Sequence, residues 1–234
     1  MDSLTDELNS WFNAVRLEDA HDYTSAALAY IGDAAQCLAK RHFVRAAMSV
    51  TSAANCLAAF SDIEDAAYLY SAGAQLYELD ADVTLGGSIR ESLWSLLHSF
   101  EYFTLVSDHV SAERVSKKYA DLARRVDRFD KPSVFEVLKQ RRESVLVARS
   151  NLSSSPTGYV PKSIKDTDRI KRAIRSLLQQ IQSLTAATRP KPRLQGRGRG
   201  LDEEEEDEEG IPYATEDYFA YESEVDTNER RIVS

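Results

Sequence analysis

Apolar residues recur at spacings of three and four along most of the first 150 positions, and little interrupts them. From Met1 to Lys131 there is no proline, and glycine occurs only at 32, 73, 86 and 87. This pattern predicts an all-α fold. The opening segment has Asp2 or Ser3 as its cap and sets Leu4, Leu8, Trp11, Phe12 and Val15 on one helical face. Further helices are expected over about 22–40, 42–60, 62–80, 84–106, 108–128 and 131–149. The breaks between them are Lys40-Arg41, Ser61-Asp62, Asp80-Ala81-Asp82, Ser107-Asp108 and Asp130-Lys131-Pro132.

The chain also repeats itself. Ala34-Ala35-Gln36-Cys37-Leu38-Ala39 returns 19 residues later as Ala53-Ala54-Asn55-Cys56-Leu57-Ala58, and Ala72-Gly73-Ala74-Gln75-Leu76-Tyr77 echoes it after another 19. A second pattern, Phe43-x-x-Ala46-Ala47, is matched by Ile63-x-x-Ala66-Ala67 twenty residues on. Side chains of one methyl let helix backbones approach closely, while Leu57, Phe60, Ile63, Leu69 and Tyr70 supply bulk. Helices of this length joined by tight turns describe antiparallel hairpins stacked in series.

In Phe43-x-x-Ala46 and Ile63-x-x-Ala66-Ala67-x-x-Tyr70 the chain resembles the second helices of the tetratricopeptide-repeat (TPR) class over roughly residues 22–128. Its longer helix pairs are also similar to those of the soluble NSF-attachment-protein group. The TPR-class Trp, helix-A Gly and closing Pro are absent. The resemblance implies a right-handed TPR-like solenoid whose groove holds a partner, an acidic function-bearing C-terminus, and a membrane-trafficking attachment role as one alternative.

Beyond Arg149 the composition shifts. Residues 1–150 form the helical-repeat domain, and 151–166, rich in Ser, Pro and Gly, read as a linker. A basic amphipathic helix follows at 167–187, where Ile170, Ile174, Leu177, Ile181 and Leu184 are spaced 4, 3, 4, 3. This seam suits docking on the repeat domain or a parallel homodimer, and the basic residues Arg169, Lys171, Arg172 and Arg175 also suit peripheral contact with an anionic membrane. Residues 188–234 read as a disordered tail, basic and then acidic. Net charge is −6 over 1–150, where the two signs mix along the chain, +9 over 162–199 and −12 over 200–234, so a mixed segment is followed by a basic block and an acidic block.

Chemistry-bearing motifs are missing: there is no phosphate loop, Gly-x-Ser-x-Gly, His-Glu-x-x-His or Cys-x-x-Cys. His21, His42, His98 and His109 form no helical i, i+4 pair, and Cys37 and Cys56 sit in Ala-rich sequence as small core residues. No enzyme, cofactor, metal, disulfide or glycan at Asn151 is expected. No stretch has the apolar length of a membrane-spanning helix, and the acidic N-terminus is unlike a signal peptide, so a cytoplasmic protein is expected.

What remains is binding. Arg114, Lys117, Lys118, Arg124, Arg125 and Arg128 fall on one or two faces of a single helix and would favour an acidic protein partner. Tyr213, Tyr218, Phe219 and Tyr221, set among acids, form a peptide able to order on a partner, while 187–212 would serve as a tether. The expected role is a non-catalytic adaptor that holds protein partners, as a peptide or a helix. The alternative from another class is nucleic-acid association through 162–199, disfavoured because the acids at 203–206 adjoin the Arg-Gly run at 196–200.

Overall fold

The computed structural model describes residues 2–59, 62–126, 131–154 and 164–188, and among them there are eight helices and no strand. They are α1 (Asp2–Asp19), α2 (Tyr23–Ala39), α3 (Phe43–Ala59), α4 (Ile63–Thr84), α5 (Ile89–Leu105), α6 (His109–Arg124), α7 (Lys131–Ser154) and α8 (Ile164–Thr188). From α1 to α6 each helix packs on its neighbours in sequence, α7 packs on α5 and α6, and α8 returns to α2 and α4.

One turn recurs along the stack. The backbone N–H of Asp22 closes back on the carbonyl of Leu17, His42 on Cys37, Asp62 on Leu57 and Asp108 on Phe103, at 2.9 to 3.1 Å. This six-residue closure needs a left-handed residue just before its last member, and His21, Arg41 and Ser107 take that role with φ of 58°, 59° and 61°. Asp22, Asp62 and Asp108 then serve as N-caps for the next helix, each accepting from the backbone N–H three residues on.

The expected break at Asp80-Ala81-Asp82 does not occur, and α4 continues to Thr84. Ala81 belongs to the core and the buried Asp80 carboxylate accepts from Ser95 Oγ at 2.7 Å, so both side chains are satisfied in a helix. The chain turns instead at Leu85–Ser88, where Gly86 and Gly87 lie. Two apolar residues are also placed otherwise than expected. Phe12 points outward, because Trp11, Ala14 and Val15 make the inward face of α1. Ile63 is exposed in the first turn of α4, where Ala66 and Leu69 take the buried positions. Phe60 lies outside the described residues.

Alanines dominate the α2–α4 packing: Ala26, Ala27, Ala34, Ala46, Ala47, Ala53, Ala54 and Ala66 are all buried. At Gly73 even one methyl is too much, since a Cβ there would stand 2.5 Å from Thr51 Cγ2 of α3. On α5 serines replace alanines. Ser92, Ser95 and Ser99 are buried toward α4, where Ser92 meets Thr84 Oγ1 at 3.0 Å and Ser99 donates to the Ala74 carbonyl at 2.9 Å. Small hydroxyls thus keep the helices close and satisfy polar groups at once.

The seam of α8 is spent inside the chain. Ile170, Ile174, Leu177 and Ile181 are buried and Leu184 is half-buried, all in one apolar cluster with residues of α1–α4. Lys171 lies near Asp65 at the start of α4, where its charge opposes the rise in the Asp65 carboxyl caused by burial and by Asp62. The other half of α8, from Ser176 to Leu184, lines an open cleft of about 470 Å³ with Leu38, Ala39 and Arg41 at the end of α2. A homodimer through this seam would require α8 to leave the site it occupies. The helix itself runs beyond the 167–187 expected, and α7 continues through Asn151–Ser154.

Two measurements check this packing. Gly73→Ala should destabilise the protein by about 1–3 kcal/mol through overpacking, whereas Thr51→Ser with Gly73→Ala, which removes the clashing methyl, should recover the loss on denaturant melting. Leu177→Ala should cost about 2–5 kcal/mol with the transition remaining single. A separate early transition for α8 would contradict a shared core.

Candidate partner-binding site

Five aromatic rings line the α4–α5 interface. Tyr70 and Tyr77 lie seven residues apart on α4, and Trp94, His98 and Tyr102 lie four apart on α5, so each set forms a stripe along one face. Tyr102 stacks on Tyr70 at 5.7 Å and on Tyr77 at 5.9 Å between ring centroids, with nearly parallel planes in both cases. Tyr77 also stacks on His98 at 5.3 Å, and Trp94 meets His98 edge-on at 4.2 Å and Tyr77 at 5.7 Å. The result is a ladder with Tyr70 at its buried end and Trp94, 45% exposed, at its open end.

Its supports come from neighbouring helices. Tyr70 donates to Asn55 Oδ1 of α3 at 2.6 Å, and Thr51 of α3 lies beside Tyr77 and Tyr102. At the open end His98 Nδ1 lies 2.9 Å from Glu101 Oε2, while Arg141 Nη1 of α7 donates to Glu101 Oε1, also at 2.9 Å. Four helices therefore fix the rings before any ligand arrives. Burial, and for Tyr70 and Tyr77 the nearby Tyr102, pushes the hydroxyls of all three tyrosines above the ordinary tyrosine range, with Thr51 opposing the rise at Tyr77 and Tyr102.

The basic stripe foreseen on α6 is largely engaged within the protein. Arg114 Nη2 and Lys118 Nζ close on Glu78 of α4 at 2.9 and 2.8 Å, and Lys118 also reaches Asp82 at 3.3 Å. Burial alone would pull the Lys118 amine down, but Glu78 and Asp82 outweigh it and hold it above the usual lysine value. Arg124 pairs with Asp121 one turn away. Lys117 and Arg125 are exposed, whereas Arg128, Tyr213, Tyr218, Phe219 and Tyr221 lie outside the described residues. On α8 the cations Arg169, Lys171, Arg172 and Arg175 are all exposed.

A second polar cluster is centred on a carboxylate closed to solvent. Asp33 of α2 is fully buried, accepts from Ser49 Oγ at 2.5 Å, and lies 3.5 Å from Arg45 Nε of α3, whose guanidinium stacks over Trp11 of α1. This contact ties three helices together. Cys37 and Cys56 are buried, and burial pushes the Cys56 thiol up to about 12, which keeps it protonated.

No family model, curated protein or solved structure matches the chain. Among the described residues no three or more His, Cys, Asp or Glu side chains are grouped to hold a metal ion, and no helix is long and apolar enough to cross a membrane. The candidate site thus rests on its own geometry: a rigid aromatic surface, open at Trp94 and bordered by a His–Glu–Arg chain. It can bury an apolar side chain against the rings while Glu101 and Arg141 engage backbone or charge.

The ladder makes stability depend on pH at the alkaline end. Tyr70, Tyr77 and Tyr102 keep their protons longer folded than unfolded. Their contribution is therefore complete below the unfolded tyrosine value of about 10 and declines as pH climbs through it. Phenolate absorbance from these three residues should appear together with loss of helical circular dichroism. Their ionisation with the helices intact would contradict the burial.

Proposed function

We propose that this chain is a non-catalytic adaptor whose serial helices form a TPR-like solenoid that holds a short protein segment at the aromatic ladder. The observation that carries this reading is Trp94, a large ring left 45% exposed on a helix whose neighbouring rings are fixed from four sides. Exposed tryptophan beside tyrosine is the composition of interface hot spots, because such rings bury much area at small conformational cost. The ladder is held by α3, α4, α5 and α7, so little ordering is required when a partner arrives.

The acidic-aromatic segment at 213–221 would then serve as a second binding element, tethered to the helical body by the charged stretch before it. The functional class rests on the ladder and does not depend on the exposed α6 cations.

Peptide display on the full-length protein tests the reading. Selection should yield peptides rich in an apolar anchor, and Trp94→Ala should weaken them about tenfold or more, the scale of a hot-spot residue. Lys117→Ala should leave them unchanged. Peptides that bind wild type and Trp94→Ala equally, or failure to select any, would remove the ladder as the binding surface.

A further inference from the structure

The helix α7 packs on α5 and α6 through Val134, Val137, Leu138 and Arg141, and its opposite side has no helix against it among the described residues. That outer side carries Phe135, Lys139, Glu143 and Val147, all exposed, with Phe135 at 57% and Val147 at 61%. The four follow one another at i+4 steps, so they form a single ridge slanting across the helix.

The ridge reads apolar, basic, acidic, apolar, and it is complementary to its own reverse. Set against a second copy running the opposite way, with a two-fold axis at the level of Arg141, Phe135 meets Val147 of the other copy and Lys139 meets Glu143, each pair occurring twice. Ridges of this spacing interdigitate at a crossing of about −50°. Lys139 also precedes Glu143 in the chain, the less favourable order for an i, i+4 pair within one helix.

We infer that the outer ridge of α7 is an isologous contact by which two copies of this chain associate, helix against helix and antiparallel. The occupant is a second copy rather than an unrelated helix because both the apolar and the charged positions match under one symmetry operation. A single helix crossing covers less than the roughly 1,000 Å² of a long-lived interface, so the association is dynamic and concentration-dependent. It uses none of the Ile/Leu residues of α8, which are buried within the chain, and none of the rings of the aromatic ladder.

Sedimentation equilibrium on the full-length protein over a wide concentration range decides the matter. Wild type should show a reversible monomer–dimer equilibrium. Lys139→Glu alone and Glu143→Lys alone each place like charges opposite one another twice, and each should raise the dissociation constant about tenfold or more. The double variant Lys139→Glu/Glu143→Lys restores opposite charges in reversed polarity and should return close to wild type. Circular dichroism on all four proteins confirms that the helices are intact. A monomeric wild type, a dimer indifferent to the single changes, or a double variant as weak as the singles would each overturn the proposal.

Discussion

Everything in this molecule depends on how closely the helix backbones are allowed to approach. Between α2, α3 and α4 the facing positions are one-methyl side chains, and at Gly73 there is not even that. Close backbones gain dense dispersion contacts but leave no room for large side chains between them. Bulk is therefore displaced to the margins of each interface, to Trp11 and Tyr30 at one place and to the tyrosine ladder at another. The aromatic ladder is a by-product of the spacing: rings that cannot enter the alanine seams stack on one another beside them.

The α4–α5 junction shows how the rule is kept when the residue type changes. Ser92, Ser95 and Ser99 are as small as the packing requires, yet each carries a hydroxyl that must be satisfied, and α4 supplies Thr84, Asp80 and the Ala74 carbonyl as partners. This junction also joins the two apolar clusters, because Tyr102 packs against both. The ladder is thus held by the same contacts that connect the first half of the helical stack to the second. A change that loosens α4 from α5 would disturb the ladder and the cohesion of the stack together.

Much of this was legible in the residues. The spacing of apolar positions and the scarcity of breakers marked out nearly every helix, and the alanine repeats identified the interfaces where backbones meet. Legibility failed where the decisive partner is distant in sequence. Asp80 looks like a turn residue until Ser95 is known to bond its carboxylate, and Arg114 and Lys118 look like free surface charge until Glu78 is found beside them, far back in the chain on α4. The ladder was visible only as scattered tyrosines: the i, i+7 pair Tyr70/Tyr77 and the i, i+4, i+8 set Trp94/His98/Tyr102 are readable as stripes, but nothing local says that the stripes face each other.

The return of α8 has a consequence for the order in which the molecule assembles. Each contact from α1 to α6 joins elements adjacent in the chain, so those interfaces close over short loops and should form quickly as each helix becomes available. The docking of α8 on α2 spans more than a hundred residues and cannot begin until the chain is complete through its last described helix. During synthesis, which releases N-terminal segments first, the apolar face shared by α2 and α4 stays uncovered while α5, α6 and α7 are still being made. A nascent chain of this protein is therefore stickier than the finished one, and its final helix acts as the closure that ends that exposure.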